Sequence, residues 1–296
     1  MRSASIPDRR SLDGFGLGTG AEAWRGAVVR AVAMACAAAI FILPLVWMFS
    51  ASLRPPGLPP PIRFELWPPE PTLANYSAIF GLLPLGRYAL NSLTVVTAAV
   101  PLTLLTASWA GFAMAQLPRR VRGPLVAVSV MSLLVPVMSL WLTRFLVFKW
   151  LGVLDSLLAL IVPAALGSSP FYVLILYWAF TRIPAELFEA ARVDGCGAVR
   201  IWWSIGLPLV RPALTAVGVL SFVYYWSSFV DPMLYLSDQA NYTLPVALRT
   251  LQQLHPSRWS LLMAGCVVVT LPVLLVFGLA QRHFLQEHRG SGWLGR

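Results

Sequence analysis

Three acidic residues in one polar loop, residues 182–208, are spaced closely enough to act together: Glu186, Glu189 and Asp194. Acid–base catalysis commonly pairs a carboxylate with histidine, and this loop contains no histidine. The histidines of the chain are His255, His283 and His288. The Gly-x-Ser-x-Gly motif of serine hydrolases is absent as well. The sequence therefore predicts no catalytic residues, and the loop acids are better suited to contact with another surface.

The sequence also predicts no metal and no nucleotide on this chain. The cysteines, Cys36, Cys196 and Cys266, are scattered and have neither zinc-type spacing nor the pattern of a disulfide framework. The sole lysine, Lys149, stands between Phe148 and Trp150 without the glycine-rich loop that would bring it to a phosphate. We therefore expect no cofactor to be bound by this chain.

The composition is that of an integral membrane protein. Of the 296 residues, 58% are hydrophobic and 11% charged, which is too little charge to solvate a soluble surface of that size. Apolar stretches of roughly 20 residues recur, which is the length needed to cross a bilayer. The net charge of +10 comes from arginines spread between these stretches, so no basic stripe for nucleic acid is predicted.

These stretches predict six transmembrane helices in an all-α membrane protein. The predicted spans are Ala27–Leu53, Leu85–Gln116, Val121–Phe145, Ser156–Thr181, Leu209–Leu236 and Trp259–His283. They belong to one membrane domain at residues 27–285. Residues 1–26, which are rich in glycine and poor in apolar side chains, are predicted to be a flexible tail, and residues 286–296 form a second tail.

The distribution of basic residues predicts the orientation. If the N-terminus is inside, the inner loops and tails, with the span ends beside them, carry fifteen of the 22 lysines and arginines, and the outer loops with their span ends carry seven. Because basic residues favour the cytoplasmic side, both termini and the loop at residues 182–208 are predicted to be cytoplasmic. Prolines in or beside the apolar spans are expected to kink some helices; they are Pro44, Pro101, Pro136, Pro163, Pro170 and Pro272.

Two short helices are predicted in the 182–208 loop. The first runs from Pro184 to Asp194, because proline suits a helix start and glutamates in the first turns suit the positive end of the helix dipole. Ala190 and Ala191 leave room for a partner surface to approach closely, and Glu189 offers a carboxylate to an arginine. Gly195 ends the helix at a position that tolerates positive φ.

The second predicted helix runs from Ala198 to Ile205, after which Leu207-Pro208 turns the chain into the fifth span. Two short helices at an angle form a compact body that transmits a push. The alternative is an ordinary amphipathic loop that Trp202 and Trp203 anchor at the membrane surface.

The spacing Glu-Ala-Ala, three residues, Gly, nine residues, Ile-x-Leu-Pro resembles the signature loop of the membrane subunits of bacterial ATP-binding-cassette importers. Residues 241–248 and 280–284 are similar to the C-terminal half of the maltose-type carbohydrate permeases. The resemblance implies a cytoplasmic coupling-helix loop between spans four and five. Its implied contacts with an ATPase are Glu189, Ala190, Ala191, Asp194, Gly195, Ile205, Leu207 and Pro208.

The resemblance also implies a set of partners. In that family the permease works with a second homologous permease subunit, two ATPase subunits that carry ATP and Mg, and an extracytoplasmic solute-binding protein in the bacterial plasma membrane. A carbohydrate is the implied solute, and a glycerol-phosphate diester or another polyol is the alternative. A membrane-embedded transferase is a further alternative from a different class.

A solute pathway is predicted in the fifth span at Trp226, Ser227, Ser228 and Asp231. Such permeases commonly read Trp-Asn-Asp/Glu-Phe there, so the acid is missing at Ser228 and reappears three residues later, on nearly the same face of a continuous helix. Asp231 either faces the pathway or pairs with an outer arginine such as Arg87 or Arg249. The C-terminal tail also departs from the family's usual ending, which puts a tail contact with the ATPase in question.

Overall fold

The computed structural model describes residues 20–61, 65–166, 169–254 and 256–290, and all regular structure within these ranges is helical. The helices are α1 (Gly20–Ser52), α2 (Ala74–Leu82), α3 (Leu85–Gln116), α4 (Arg119–Leu133), α5 (Val137–Trp150), α6 (Leu158–Ala165), α7 (Pro170–Thr181), α8 (Ala185–Val193), α9 (Ala198–Ile201), α10 (Leu207–Leu209), α11 (Arg211–Ser227), α12 (Val230–Tyr235), α13 (Leu244–Leu254) and α14 (Trp259–Gly290). A π-helical turn, Trp202–Gly206, joins α9 to α10, and a 3₁₀ turn, Gln239–Asn241, precedes α13.

Four stretches of the described chain are each long and apolar enough to cross a membrane: Trp24–Ser52, Leu85–Gln116, Leu158–Thr181 and Trp259–Gln281. Two bent pairs of helices meet the same criterion only when each pair is taken together. One pair is α4 with α5, and the other is residues 198–209 with α11. Counting each pair as one span gives six, so the prediction of an all-α membrane fold is confirmed.

The predicted third span is wrong as a single helix. It divides into α4 and α5, whose axes differ by 93°. Pro136 stands at the break with φ −61° and ψ 126°, outside helical geometry. Proline lacks the backbone N–H that a continuing helix needs, and it disfavours helical geometry in the residue before it.

The predicted fifth span is also wrong as a continuous helix from Leu209 to Leu236. It bends by 84° between α10 and α11 and ends at Ser227, and α12 follows as a separate helix from Val230. Ser228 is extended, with φ −61° and ψ 125°. Pro232 explains the break, because it has no N–H for the carbonyl of Ser228 and its ring would clash with that carbonyl in a continuous helix.

The helices at the two ends of the described chain extend into both predicted tails. α1 begins at Gly20, inside the segment predicted to be flexible, where Ala21, Glu22 and Ala23 favour helix. α14 continues to Gly290, past the predicted end of the sixth span at His283. Residues 1–19 and 291–296, which complete the predicted tails, lie outside the described residues.

α3 lies at the centre of the fold, in contact with α6, α7, α11 and α13. Its approach to α7 is closest at Gly111, where an added Cβ would lie 2.8 Å from the backbone nitrogen of Tyr177 and 3.0 Å from the carbonyl oxygen of Val173. Only glycine permits this backbone approach. By contrast, α1 contacts α14 and is otherwise exposed along most of its length, as expected of a helix that meets lipid or another subunit.

Candidate functional site

The first helix of the 182–208 loop forms as predicted. It spans Ala185–Val193 and follows Pro184, and Glu186 lies in its first turn. At its end Gly195 adopts φ +79°. The N–H of Cys196 donates to the carbonyl of Ala191 at 2.9 Å, and the N–H of Gly195 donates to that of Arg192 at 3.0 Å. This pair of bonds is a Schellman motif, so the predicted helix stop at Gly195 is confirmed.

The two faces of α8 differ in exposure. Glu189 and Ala190 are exposed, and Val193 is 88% exposed. Phe188 and Ala191, three residues apart, are buried against the body of the chain. The methyl group of Ala191 therefore packs inward, and of the two alanines only Ala190 has an exposed side chain.

An aromatic cluster anchors α8 to the transmembrane helices. The ring of Phe188 lies edge to face with that of Phe112 on α3, with centroids 5.8 Å apart, and Phe112 meets Phe180 on α7 in the same way at 5.4 Å. Arg192 also donates a hydrogen bond to the side chain of Gln116 at the end of α3. The loop is thus fixed to two transmembrane helices at once.

The second half of the loop is helical for longer than predicted. The predicted helix Ala198–Ile205 continues through the π-helical turn into α10, and the turn into the next span falls at Val210 and not at Leu207-Pro208. Ile205 and Leu207 are half-buried, and Pro208 and Asp194 are exposed. Gly206 is buried, and a Cβ there would lie 3.1 Å from the ring of Phe180.

The two tryptophans of the loop do not form one membrane anchor. Trp202 is buried and lies edge-on to Trp109 of α3, with ring centroids 5.0 Å apart, whereas Trp203 is 63% exposed. The alternative of a loop held at the membrane surface by both side chains is therefore not supported. Trp202 belongs to the anchoring core.

A cavity of about 240 Å³ lies among α3, α4, α5, α6, α7, α11 and α12. Two of the predicted pathway residues, Ser228 and Asp231, line it. Because the helix breaks between them, they do not share a helix face as predicted, yet both reach the same space. The hydroxyl of Tyr224 donates to Oδ2 of Asp231 at 3.5 Å, a long hydrogen bond.

The other two predicted pathway residues are not in the cavity lining. Trp226 is buried, stacks on Phe222 with ring centroids 5.8 Å apart, and donates from Nε1 to the carbonyl of Val269 on α14 at 2.8 Å. The indole of Trp226 therefore packs against α14 and does not line this cavity. Ser227 is exposed but does not line this cavity.

The cation that faces Asp231 is one the sequence did not single out. Arg144 of α5 lines the same cavity and attracts the carboxylate electrostatically. The predicted pairing with Arg249 is not found, since the Arg249 guanidinium lies 5.7 Å from the ring centroid of Phe229, and Arg87 lines a different pocket. Among the described residues, Arg54 and Glu65 form the one ion pair, at 2.7 Å. Arg144 lies on α5, after the 93° bend that follows α4.

Comparison with known proteins agrees with this architecture. Residues 104–289 match the family model described as binding-protein-dependent transport system inner membrane component. The sulfoquinovosyl glycerol transport system permease protein SmoH of Agrobacterium fabrum is 29% identical, with 86% of this chain and 89% of that protein aligned. The arabinooligosaccharides transport system permease protein AraQ of Halalkalibacterium halodurans is 30% identical, over 86% of this chain and 91% of that protein.

A solved structure has the same fold. It is the crystal structure of a bacterial ABC transporter involved in the import of the acidic polysaccharide alginate, one chain of which superposes with a TM-score of 0.72. The alignment covers 90% of this chain and 98% of that chain at 21% sequence identity.

Proposed function

Because this chain belongs to the family of binding-protein-dependent transport system inner membrane components, we propose that it is the membrane-spanning permease subunit of an ATP-binding-cassette importer for a carbohydrate. The relatives SmoH and AraQ are named as permeases for sugar-containing solutes, which supports this class of solute. The chain is a transport subunit and not an enzyme.

The observation that carries the coupling role is the anchoring of α8. Its inward face is fixed to α3 and α7 through Phe188 and Phe112, and its outward face presents Glu189 and Ala190. A partner that pushes on the outward face moves the transmembrane helices with it. The proposed ATPase contacts are therefore Glu189, Ala190, Asp194, Gly195 and Pro208, whereas Ala191, Ile205 and Leu207 hold the loop in place.

ATP and Mg are proposed to lie on two partner ATPase subunits. The 182–208 loop and both termini are then cytoplasmic, as the excess of basic residues on that side predicts. A second homologous permease would cover the exposed apolar faces of α4 and α5 and close the central cavity. Ser228, Asp231, Arg144 and Tyr224 would line this subunit's half of the pathway.

An extracytoplasmic solute-binding protein is proposed to dock at the opposite end of the subunit. Two segments of that end pack together there, since Ile79 of α2 shares a buried cluster with Ala247 and Leu251 of α13. Arg54 is held near α2 as well, because the side chain of Asn75 donates to its carbonyl at 2.7 Å. This end therefore offers a rigid surface on which the solute-binding protein can dock.

Reconstitution tests the proposal. The chain would be co-expressed with the second permease and the ATPase encoded near it, purified, and placed in vesicles with the matching solute-binding protein. ATP hydrolysis that rises when the sugar-loaded binding protein is added, together with sugar entry, is the expected result. A chain that purifies without any ATPase and supports no uptake would overturn the proposal.

A further inference from the structure

The central cavity carries one charge of each sign. Of the described residues that line it, Arg144 and Asp231 are the charged ones, so this half of the pathway has a formal net charge of zero. Most of the remaining lining is apolar or aromatic and includes Tyr172, Tyr224 and Tyr225. Such surroundings make any uncompensated charge costly.

The two charged residues line the same cavity without forming an ion pair. Their charged atoms are not within the 4.0 Å that defines an ion pair in the described structure. Asp231 accepts a hydrogen bond from the hydroxyl of Tyr224 at a long 3.5 Å. Both charged groups therefore keep hydrogen-bonding capacity that a solute can use.

The chemistry of the pair suits one kind of solute. A guanidinium only donates hydrogen bonds and a carboxylate only accepts them, whereas a sugar hydroxyl does both. An uncharged sugar can therefore bridge Arg144 and Asp231 and satisfy each, and its ring can lie against the tyrosines. A solute with its own carboxylate or phosphate would meet Asp231 as a like charge, and Arg144 would have two anions to neutralise.

From this arrangement we infer that Arg144 and Asp231 select uncharged saccharides over anionic ones in this subunit's half of the pathway. The inference rests on the proposed function, because it concerns the solute that the permease passes. It disfavours glycerol-phosphate diesters and uronates as solutes.

Protection of a cysteine in the cavity tests the inference. Ser228→Cys would be placed in a chain whose Cys36, Cys196 and Cys266 are replaced by serine, and the chain would be assembled with its second permease and ATPase. The rate of modification by N-ethylmaleimide, which is uncharged, would be measured with cellobiose and with cellobiouronic acid, where a carboxylate replaces one hydroxymethyl group. Ser227→Cys, exposed outside the cavity lining, is the matched control.

Cellobiose is expected to slow modification of Ser228→Cys at a concentration at least about tenfold lower than cellobiouronic acid, because the like charge of Asp231 disfavours the acid by about 1.4 kcal/mol or more. Neither sugar should slow modification of Ser227→Cys. Equal protection by the two sugars, or protection by neither, would overturn the inference. In that case the proposed permease function would still stand, provided that the complex assembles and that its ATP hydrolysis responds to the binding protein.

Two charge variants sharpen the test. Asp231→Asn leaves Arg144 as the only charge, so the preference for cellobiose should fall by about tenfold or reverse. Arg144→Gln leaves the carboxylate alone and should keep or increase the preference. If both variants prefer cellobiose over cellobiouronic acid to the same extent as the parent chain, then Arg144 and Asp231 do not determine the preference.

Discussion

The carboxylate of Asp155 accepts a hydrogen bond from the backbone N–H of Asp238 at 2.8 Å, across 83 residues of sequence. The same oxygen accepts the N–H of Ser237 at 2.9 Å, and the carbonyl of Asp155 receives the side-chain amide of Asn241 at 2.7 Å. Asp155 itself has φ +58°, the left-handed region. Asp155, a single residue of the segment between α5 and α6, thus holds the chain between α12 and α13.

We expect Asp155→Ala to lower the melting temperature of the purified chain more than Asp155→Asn. Asparagine tolerates positive φ and keeps an oxygen that accepts the two N–H groups, whereas alanine has neither property. Asp155→Gly is the control that relieves the backbone but removes the acceptor. Intrinsic tryptophan fluorescence during heating would measure the melting temperature of each variant. Equal melting temperatures for Asp155→Ala and Asp155→Asn would contradict the prediction.

The same contact predicts a dependence on pH. Hydrogen bonds from the backbone N–H groups of Asp238 and then Ser237 hold the pKa of the Asp155 carboxyl below its ordinary value. Because the folded pKa is the lower one, the stabilisation is present above the unfolded pKa of about 3.9 and is lost as the pH falls through the folded value. The difference in melting temperature between the parent chain and Asp155→Asn should be constant from about pH 5 to 8 and shrink near pH 3.

Gly111→Ala should destabilise the chain by about 1–3 kcal/mol, because its methyl group would force α3 and α7 apart. Gly123→Ala is the matched control. Gly123 lies inside α4 with nothing within 4 Å of an added Cβ, so alanine there should be neutral or stabilise by up to about 1 kcal/mol. Thermal unfolding of both variants would measure the difference. A Gly111→Ala chain as stable as Gly123→Ala would refute the close approach of α3 to α7.

Glu189→Lys is expected to reduce co-purification with the ATPase and to lower solute-stimulated ATP hydrolysis at least about tenfold, because a favourable charge contact becomes a like-charge one. Glu70→Lys is the control for co-purification, since Glu70 is also exposed but precedes α2 at the end of the subunit away from α8. Unchanged assembly and hydrolysis in Glu189→Lys would remove the evidence for docking at α8.

Gly195→Ala should impair coupling by shifting the end of α8. An alanine at φ +79° costs roughly 1–2 kcal/mol, and the cost is avoided if the Schellman motif opens. Gly197→Ala is the control two residues away, because Gly197 has φ −71° and open space around an added Cβ. Solute-stimulated ATP hydrolysis should fall in the first variant alone, and an equal fall in both would contradict the role of the positive φ.

Local signals predicted local structure well. Pro184 and Gly195 bounded α8 to within a residue, because helix starts and stops depend on neighbouring backbone atoms. Pro136 is among the prolines expected to kink a helix, but the sequence does not indicate an angle as large as the 93° between α4 and α5. Pro232 was overlooked as a helix breaker, and the error placed Ser228 and Asp231 on one face.

Long-range contacts could not be predicted from spacing. Phe188 meets Phe112 from 76 positions away, and Asp155 meets Asp238 across 83, so neither pair leaves a periodic pattern in the sequence. From the sequence, Arg144 is only one of the seven basic residues on the predicted outer side. Its place in the cavity depends on the bend at Pro136, which fixes the direction of α5.

α3 is one continuous helix that connects the two ends of the subunit. It runs unbroken for 32 residues, about 48 Å, although Pro101 lies inside it. Near one end Phe112 holds α8, and near the other the side chain of Asn91 donates to the carbonyls of Ala240 and Tyr242 at 2.9 Å each. A force on α8 along the axis of α3 is therefore transmitted to the segment before α13 without passing through a flexible segment.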